Sequence, residues 1–383
     1  MIIFLHDIFG ELARRLKGSQ DSGLWDRRRV FWANCANMVI TQLFKRTETM
    51  AGSCVGESDG LTFWVAEQKD YDDVMSISVK IYGGNDYLPH RYASWMTEPD
   101  RVVILGRKDG KLVALESGLI VDEGCTVVVE GLRVCPSERG RGVARVIQRF
   151  ADQYIQQLYP SVRTKRQTKA DDPSAGPTQT LSNFTELGRR AALSFIGEAD
   201  SFEGFISHLK NKLHSTTGSD PGVSVPQMVL IEDEQHLKNI LLDPELPSRV
   251  QLPGGAIIQD WQPLQPIKGN LEILARRNLT WLADKLERPA FLSFYTPPYP
   301  IPYKGGSLRF NIDMFGTDLA SAKRALAGHF EKVRERRQLK GRVMVHVYLN
   351  KSLWEGVREF CEGYTGVRRC REYWEQLFLE RGM

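Results

Sequence analysis

The hexapeptide at 139–144, RGRGVA, carries residue types suited to binding an anion. A strand-like run at 125–135 precedes it, and an amphipathic helical pattern begins at Val143. Such a strand–loop–helix junction directs backbone N–H groups and the positive end of the helix dipole at one point. Gly140 and Gly142 remove side chains that would hold a phosphate away from the backbone, and the arginines add positive charge. The pattern predicts a pyrophosphate-binding loop; a Gly/Arg-rich surface turn is the alternative.

Two better-known phosphate loops do not fit these residues. A dinucleotide-binding loop needs G-x-G-x-x-G, but Arg145 occupies the position of its third glycine. A P-loop needs G-x-x-x-x-G-K-[ST], and the sequence contains no such run. The loop therefore belongs to a different kind of phosphate site.

Hydrophobic periodicity and turn signals predict the elements that position the loop. Before it we expect a strand, two helices and a meander of three strands, at 61–67, 71–81, 89–96, 101–107, 111–121 and 125–135. After it, apolar residues at steps of three or four predict a helix over 143–158, which Pro160 ends. A short helix at 181–187 and a strand near 191–196 complete this first unit, and the hydrophilic stretch 214–226 predicts a linker.

The second half of the chain, 227–383, closes with a pattern similar to the end of the first. A strand, a helix and a strand are predicted at 343–349, 353–361 and 374–380. An internal duplication is one interpretation of this order. The second half has no counterpart of the glycine loop.

The loop resembles the [RQ]-x-x-G-x-[GA] signature of the GNAT acetyltransferase superfamily, with Arg139, Gly142 and Ala144 at its fixed positions. The resemblance implies an α/β (α+β) GNAT fold with a mixed, mostly antiparallel central sheet flanked by helices, plus a second, degenerate GNAT-like half. The corresponding division is a non-catalytic extension at 1–60, disordered or helical, a GNAT domain at 61–213 and a C-terminal domain at 227–383.

Three further segments, at 81–89, 130–134 and 253–263, resemble the vertebrate histidine N-acetyltransferases, a family within that superfamily. This resemblance implies transfer of an acetyl group from acetyl-CoA to the α-amine of free L-histidine, giving N-acetyl-L-histidine and CoA. The identity of the acceptor depends on the resemblance alone.

GNAT folds place the pantetheine of acetyl-CoA beside the fourth strand, here 130–135, and the pyrophosphate on the loop. The residues that the resemblance implies for acetyl-CoA binding are Leu132, Arg133, Val134, Arg139, Gly140, Arg141, Gly142, Val143 and Ala144. No metal is expected.

Acetyl transfer needs a neutral amine, so a general base is expected. Glu130 is the first candidate, because a carboxylate within an apolar strand beside a cleft is suited to accept a proton. The alternative is a structural carboxylate paired with an arginine. Glu116, on the neighbouring strand, is the second candidate. Many GNAT enzymes carry a tyrosine acid on their fourth helix, but 181–187 contains no tyrosine, so the general acid stays unassigned.

Tyr82, Asp86 and Tyr87 lie between the first two predicted helices, where GNAT folds shape the acceptor site. The tyrosines could pack against an imidazole, and Asp86 could pair with its protonated form; core packing of the aromatic rings is the alternative. Asp260 and Trp261 are candidate acceptor contacts from the second half, or they join the two halves.

A free amino acid also brings a carboxylate, which calls for an arginine or backbone donors. Arg91 and Arg133 are the candidates for this clamp.

Charge and cysteine content restrict the partners. Residues 1–49 hold eight Lys/Arg against five Asp/Glu and the rest holds 43 against 42, so the body carries no nucleic-acid footprint. The six cysteines form no C-x-x-C pair and no metal spacing with histidines, which indicates reduced thiols in a cytoplasmic protein. The uncharged stretch 30–44 is too short for a membrane helix. We expect a monomer with a small amino acid substrate and no nucleic-acid or membrane partner.

Two other functions stay open at this point. A GNAT enzyme acting on protein N-termini, lysines or another small amine would use the same loop. A catalytically silent module would bind acetyl-CoA without turnover.

Overall fold

The computed structural model describes residues 52–173, 183–216 and 227–383, which form two compact units. The first unit contains the described residues up to Val79, together with 93–125 and 130–162. The second contains 80–92, 126–129 and the described residues from Arg163 onwards. One strand and one helix therefore contribute residues to both units.

The first unit is a strand meander followed by a long helix. Its elements are β1 Cys54–Ser58, β2 Leu61–Val65, α1 Tyr71–Ile77, the end of α2 Leu88–Trp95, β3 Arg101–Lys108, β4 Lys111–Val121, the end of β5 Thr126–Val134, and α3 Val143–Leu158. Strands β1 to β4 pair as antiparallel neighbours, and β5 lies next to β4. Asp59-Gly60 and Asp109-Gly110 have left-handed backbones, which suits the tight hairpin turns at these positions.

Helix α3 covers this sheet through one apolar stripe. Its buried residues are Val143, Ile147, Ala151, Tyr154 and Ile155. The stripe packs against β3 and β4, and Phe150 stacks on Phe63 with ring centroids 3.9 Å apart. The predicted helix over 143–158 and its buried face are confirmed.

The second unit is a larger, mostly antiparallel sheet flanked by helices. Its strands are the start of β5, β6 Thr164–Asp171, β7 Thr185–Glu198, β8 Val229–Ile231, β9 Ile257–Gln259, β10 Gln262–Leu264, β11 Thr280–Ala283, β12 Leu292–Ile301, β13 Ser307–Phe315, β14 Arg342–Leu349 and β15 Val367–Gly382. Its helices are the start of α2, α4 Ser201–Thr216, α5 Glu234–Leu241, α6 Leu246–Arg249, α7 Lys268–Ala275, α8 Leu319–Glu335 and α9 Trp354–Cys361. The strand order is β6-β15-β7-β14-β13-β12-β11-β8, with β9 and β10 as a separate hairpin. Within 52–173, 183–216 and 227–383, no helix has the length and apolar character needed to cross a membrane.

Among the described residues, a helix connects two parallel neighbouring strands at two places. Helix α3 connects β5 to its parallel neighbour β6, and helix α8 connects β13 to its parallel neighbour β14. This repeated crossover agrees with an internal duplication, which stays a prediction.

We call β15 the exchanged strand, because it belongs to the second half of the sequence but pairs with two strands of the first half. β15 lies between β6 and β7 and is antiparallel to both. β7, which ends the first half, pairs with β14 of the second half. Both halves therefore contribute to one continuous sheet in the second unit.

The predicted fold class, a mixed and mostly antiparallel sheet with flanking helices, is confirmed, but several predicted elements need correction. The helix expected at 181–187 is wrong where the structure describes it: Thr185–Leu187 belong to β7, in which Glu186 pairs with Leu379. The helix expected over 71–81 ends at Ile77, and a 3-10 turn follows at Ile81–Gly84.

The predicted extension at 1–60 enters the described residues only at its end. There, Cys54–Ser58 is a strand, so this part is neither disordered nor helical. The uncharged stretch 30–44 and most of the predicted linker 214–226 lie outside the described residues. The division into 61–213 and 227–383 stays a prediction; the compact units follow a different division, since 163–173 and 183–213 pack in the second.

Phe378 of β15 tests the importance of the exchanged strand. Its ring is fully buried with Ala256 and Ile258, so Phe378→Ala should lower the free energy of unfolding by about 3–5 kcal/mol. Chemical denaturation of the purified variant measures this loss. Glu372→Ala, on the same strand but with a side chain that is 85% exposed, is the control and should stay within about 0.5 kcal/mol of the original protein. Equal stability of both variants would contradict the packing described for β15.

Candidate functional site

The predicted phosphate loop lies between β5 and α3 in the first unit. A 3-10 turn, Pro136–Glu138, follows β5, and Gly142 is the N-cap residue of α3. Gly140 and Gly142 have φ angles of +77° and +85°, a backbone conformation that glycine adopts without strain. A Cβ atom built at either glycine would meet no atom within 4 Å, so the backbone at both positions faces open space.

The N-terminus of α3 is open to an anion. Gly142 offers no side chain to cap the helix, and the first turn contains no acidic residue. The first N–H groups of a helix have no partner within the helix, so they are available to an outside acceptor. Arg139 donates from Nε to the carbonyl of Val134 at 3.1 Å, which holds the loop against the end of β5. Arg141, exposed beside the glycines, lies 3.5 Å from Glu138.

The corresponding helix of the second unit is closed to an anion. Asp318 is the N-cap of α8, and its carboxylate accepts the N–H of Ser321 at 2.7 Å. A hydrogen bond from the Ser321 side chain, together with this backbone bond, lowers the pKa of Asp318 below its ordinary value. A fixed negative charge thus occupies the position that a phosphate would need. The structure agrees with the prediction that the second half has no counterpart of the glycine loop.

The two parallel strand pairs also differ. β5 and β6 pair only from Thr126 to Val128, although β5 continues to Val134. β13 and β14 pair over six positions, from Leu308 to Asp313. In the part of β5 beyond the paired positions, Leu132 and Val134 are half-buried, while Arg133 is buried and donates from Nη1 to the Leu132 carbonyl at 3.1 Å.

Glu130, the first candidate base, is held in an ion pair. Its Oε1 lies 2.7 Å from Nη1 of Arg101, whose side chain is fully buried. Arg101 also contacts Glu98 at 2.5 Å and Ser117 Oγ at 2.7 Å. This arrangement is the one expected of a structural carboxylate. Glu116, the second candidate, is buried on β4 opposite Ile104 of β3.

In the second unit, Asp260 is the centre of a buried polar cluster. Its Oδ2 lies 2.5 Å from Nη2 of Arg91, and its Oδ1 accepts hydrogen bonds from Tyr299 at 3.0 Å and from Asn311 at 2.7 Å. Burial alone would raise the pKa of Asp260, but Arg91, Arg309 and the tyrosine bond together lower it. The carboxylate is therefore ionised at neutral pH.

Asp260 and Trp261 occupy a strained turn. They are the two central residues of the β9–β10 hairpin, with φ angles of +46° and +76°. Glycine or asparagine is usual in such a turn, and a bulky residue with positive φ costs free energy. Trp261 donates from Nε1 to the Tyr348 hydroxyl at 3.0 Å and stacks on Trp374 at 5.9 Å. The contacts of both side chains hold this strained turn in place.

Arg309 extends the cluster along β13. Its Nε donates to Asn311 Oδ1 at 3.0 Å, its Nη2 to the Tyr348 hydroxyl at 3.1 Å and its Nη1 to Asn85 Oδ1 at 3.5 Å. A guanidinium group can only donate, so the amide nitrogen of Asn85 faces away from it.

That amide nitrogen lies 2.9 Å from Nε2 of His346. Nε2 must then accept, so the proton of the neutral ring is on Nδ1, which contacts Ser194 Oγ at 2.9 Å. Burial, with help from Arg309 and Arg371, lowers the pKa of His346 well below its ordinary value. His346 is therefore a neutral, fixed ring at neutral pH.

The other predicted acceptor residues have mixed surroundings. Tyr82 is 62% exposed, with its ring centroid 6.4 Å from that of Tyr87. Asp86 is buried, and its Oδ1 accepts the N–H of Leu88 at 3.1 Å at the start of α2. Arg91 and Asp260, predicted for separate roles, form one ion pair. Arg133, the other predicted clamp, belongs to the first unit.

Part of the cluster around Asp260 was not predicted from the sequence. The residues concerned are Tyr299, Arg309, Asn311, His346 and Tyr348. A signal exists for four of them, all except Tyr299: polar residues alternate with apolar ones in Arg309-Phe310-Asn311-Ile312-Asp313 and in His346-Val347-Tyr348. Period-two polarity inside a strand buried on both faces indicates a polar inner face.

The comparison with protein families gives a match to the C-terminal part of histidine N-acetyltransferases, at residues 224–350. The chain is 38% identical over 327 residues to the human protein described as probable N-acetyltransferase 16, covering 85% of this chain and 86% of that protein. It is 37% identical over 327 residues to the histidine N-acetyltransferase of Scomber australasicus, covering 84% and 93%.

A third relative, the histidine N-acetyltransferase of Xenopus tropicalis, is 35% identical over 318 residues, covering 83% of this chain and 94% of the relative. Among solved structures, a tandem GNAT protein from the clavulanic acid biosynthesis pathway aligns with a TM-score of 0.48 and 13% identity, covering 84% of this chain and 98% of that one. On the identity to these relatives over most of their length, the chain belongs to the histidine N-acetyltransferase family.

Proposed function

We propose that this protein transfers the acetyl group of acetyl-CoA to the α-amine of free L-histidine, giving N-acetyl-L-histidine and CoA. The observation that carries the proposal is the open helix N-terminus at Gly142, in a chain that shares 37% of its aligned residues with a named histidine N-acetyltransferase. In the reaction the amine nitrogen bonds to the thioester carbonyl carbon, and the carbon–sulfur bond breaks. The amine loses a proton, and CoA leaves as a thiolate that takes one up.

The loop at 139–144 supports the donor half of this proposal. Its two glycines with positive φ bring the backbone N–H groups to the surface, and the N-terminus of α3 adds the positive end of a helix dipole. Arg141 adds an exposed positive charge. Acetyl-CoA carries a pyrophosphate, which suits this site.

The end of β5 supports a role in holding the pantetheine arm. Its parallel pairing ends at Val128, so the later backbone groups are outside that ladder. We assign the pantetheine contacts to the backbone of Leu132 and Val134. The second unit, with Asp318 at its helix N-terminus and a longer parallel ladder, is proposed to bind no second acetyl-CoA.

Glu130 is the first candidate for the general base, and we consider two roles for its carboxylate. A carboxylate near the amine could accept its proton. The ion pair with Arg101 instead supports a structural role. Glu116 stays the second candidate, and the general acid is unassigned.

The acceptor residues are proposed from the second unit. Tyr82 and Tyr87 offer aromatic faces to an imidazole, and the cluster around Asp260 and Trp261 offers fixed polar groups. Asp86 is a weaker candidate, because its carboxylate already accepts the N–H of Leu88.

We also propose that the protein acts as a cytoplasmic monomer. Cys54, Cys125, Cys135, Cys361 and Cys370 are free thiols, which supports a reducing compartment.

Gly142→Ala tests the loop. An added methyl group would stand where the phosphate approaches, so the KM for acetyl-CoA should rise about tenfold, equivalent to about 1.4 kcal/mol. Steady-state kinetics at saturating histidine measures the change. Gly60→Ala is the matched control: Gly60 has a φ of +73° and no atom within 4 Å of an added Cβ, but lies in the β1–β2 turn. If both variants bind acetyl-CoA like the original protein, the loop assignment is wrong.

Glu130→Gln distinguishes a general base from a structural carboxylate at this position. If Glu130 is the base, kcat/KM should fall by about 10²–10⁴ and the loss of activity towards low pH should disappear from the pH–rate profile. If it is structural, the midpoint of thermal unfolding should fall while the profile keeps its shape. Glu98→Gln is the control, because it breaks another contact of the same Arg101.

The assay that tests the function is CoA release by the purified protein with acetyl-CoA and a panel of free amino acids, amines and peptides. We expect turnover with L-histidine and its close analogues. Turnover on peptides alone would discard the proposed acceptor. Acetyl-CoA binding without turnover on any amine would favour the silent module.

A further inference from the structure

We propose that Arg309 is the receptor for the α-carboxylate of the acceptor amino acid. This inference rests on the proposed function and adds the group that distinguishes an amino acid from a simple amine. Three features of Arg309 support this assignment: its neutral hydrogen-bond partners, its remaining N–H groups and its contact with Asn85.

Among the described residues, Arg309 has no carboxylate within ion-pair distance. Asp260 is the carboxylate of this cluster, and both of its oxygens are engaged, Oδ2 with Arg91 and Oδ1 with Tyr299 and Asn311. Arg309 is only 4% exposed, and among the described residues it donates hydrogen bonds only to neutral oxygens, those of Asn85, Asn311 and Tyr348. Buried charges in proteins are normally paired with an opposite charge. Asp260 acts on Arg309 through its electrostatic field and not through a direct contact, so the guanidinium can still take a directly bonded carboxylate from outside the chain.

Other buried arginines of this unit behave differently. Arg166 lies 2.7 Å from Glu380, and Arg190 lies 2.8 Å from Asp313. They are buried to a similar degree, at 6% and 2% exposure. In the described part of the second unit, these two buried guanidinium groups therefore pair with carboxylates, whereas Arg309 does not.

Arg309 also has N–H groups that no described residue accepts. A guanidinium carries five N–H groups, and the described residues accept three from Arg309. One N–H remains on each of Nη1 and Nη2. A carboxylate can accept from both terminal nitrogens at once, which is the preferred geometry of arginine–carboxylate pairs.

Asn85 marks the side from which a ligand would enter. It is half-buried, and its bond to Nη1 of Arg309, at 3.5 Å, is the longest of the three. It follows the turn that presents the exposed Tyr82, in which Lys80 and Tyr82 have left-handed φ angles of +58° and +48°. Such strain in non-glycine residues is common at ligand sites. A carboxylate oxygen of the acceptor would replace the Asn85 oxygen on Arg309.

The residues predicted for this role are less suited to it. Arg91 is already neutralised by Asp260 at 2.5 Å. Arg133 is buried and donates to its neighbour's carbonyl.

The test compares L-histidine with L-histidinamide, in which a neutral amide replaces the carboxylate. Arg309→Lys keeps the charge but loses the paired donors. We expect its kcat/KM to fall about 10–100-fold for histidine, as for loss of a charge-assisted hydrogen bond, and less than about threefold for histidinamide. Each substrate is compared with itself across variants, so the different basicities of the two amines cancel. Arg190→Lys is the matched control and should affect both substrates alike.

A second variant removes the dependence on the folding of Arg309→Lys. Asn85→Asp places a carboxylate of the chain itself beside Arg309, so it should compete with histidine and raise the KM for histidine about tenfold. The KM for histidinamide should change little. Asn85→Ala loses the same amide without adding a charge, and should keep the original preference for histidine over histidinamide.

The two proposals fail in different ways. If the original protein acetylates neither histidine nor any other free amino acid, the proposed function is wrong. If it acetylates histidine, and Arg309→Lys or Asn85→Asp lowers the activity on both substrates equally or on neither, the assignment of Arg309 is wrong.

Discussion

A helix that begins directly after a buried strand leaves backbone N–H groups that need an acceptor. The rest of this structure depends on how that need is met. At α3 the chain provides a glycine and no capping side chain, so the acceptor must come from outside. At α8 the chain provides Asp318, so the acceptor is internal. One residue at each junction thus separates the proposed acetyl-CoA site from a crossover closed by its own side chain, although both crossovers have the same topology.

The buried polar cluster of the second unit is organised by a similar principle. Each member has its protonation state set by its neighbours: Asp260 is ionised beside Arg91, and His346 is neutral because it is buried near other positive charges. The tautomer of His346 follows from Asn85, whose own orientation follows from Arg309. A network of this kind holds its donors in fixed directions before a ligand arrives, which reduces the cost of ordering them during binding.

The parts of the site that sequence reasoning predicted are those set by local chemistry. The glycines of 139–144 predict an open loop before a helix without any tertiary contact, and the buried stripe of α3 follows from spacing alone; the ligand of the loop stays a prediction. The helix expected at 181–187 is wrong because Glu186 pairs with Leu379, a contact far away in sequence that local propensity does not contain. Arg309 was not predicted, because what distinguishes it is its set of neutral hydrogen-bond partners. Asn85 and Tyr348 are distant from it in the sequence and come close to it only in the folded protein. Helix α4 was missed despite a visible signal, since Phe202, Phe205, Ile206 and Leu209 follow helical spacing.

The exchanged strand has a consequence for how the chain is made. A ribosome releases β6 and β7 long before β15, which follows them in the sequence after all the other strands of the sheet. Until then, one edge of β6 and one edge of β7 lack their final neighbour, and unpaired edges invite association with other chains. Most proteins can fold their N-terminal part during synthesis. Here those two edges gain their final neighbour only after β15 has emerged, so the nascent chain exposes them while the residues between β7 and β15 are being translated.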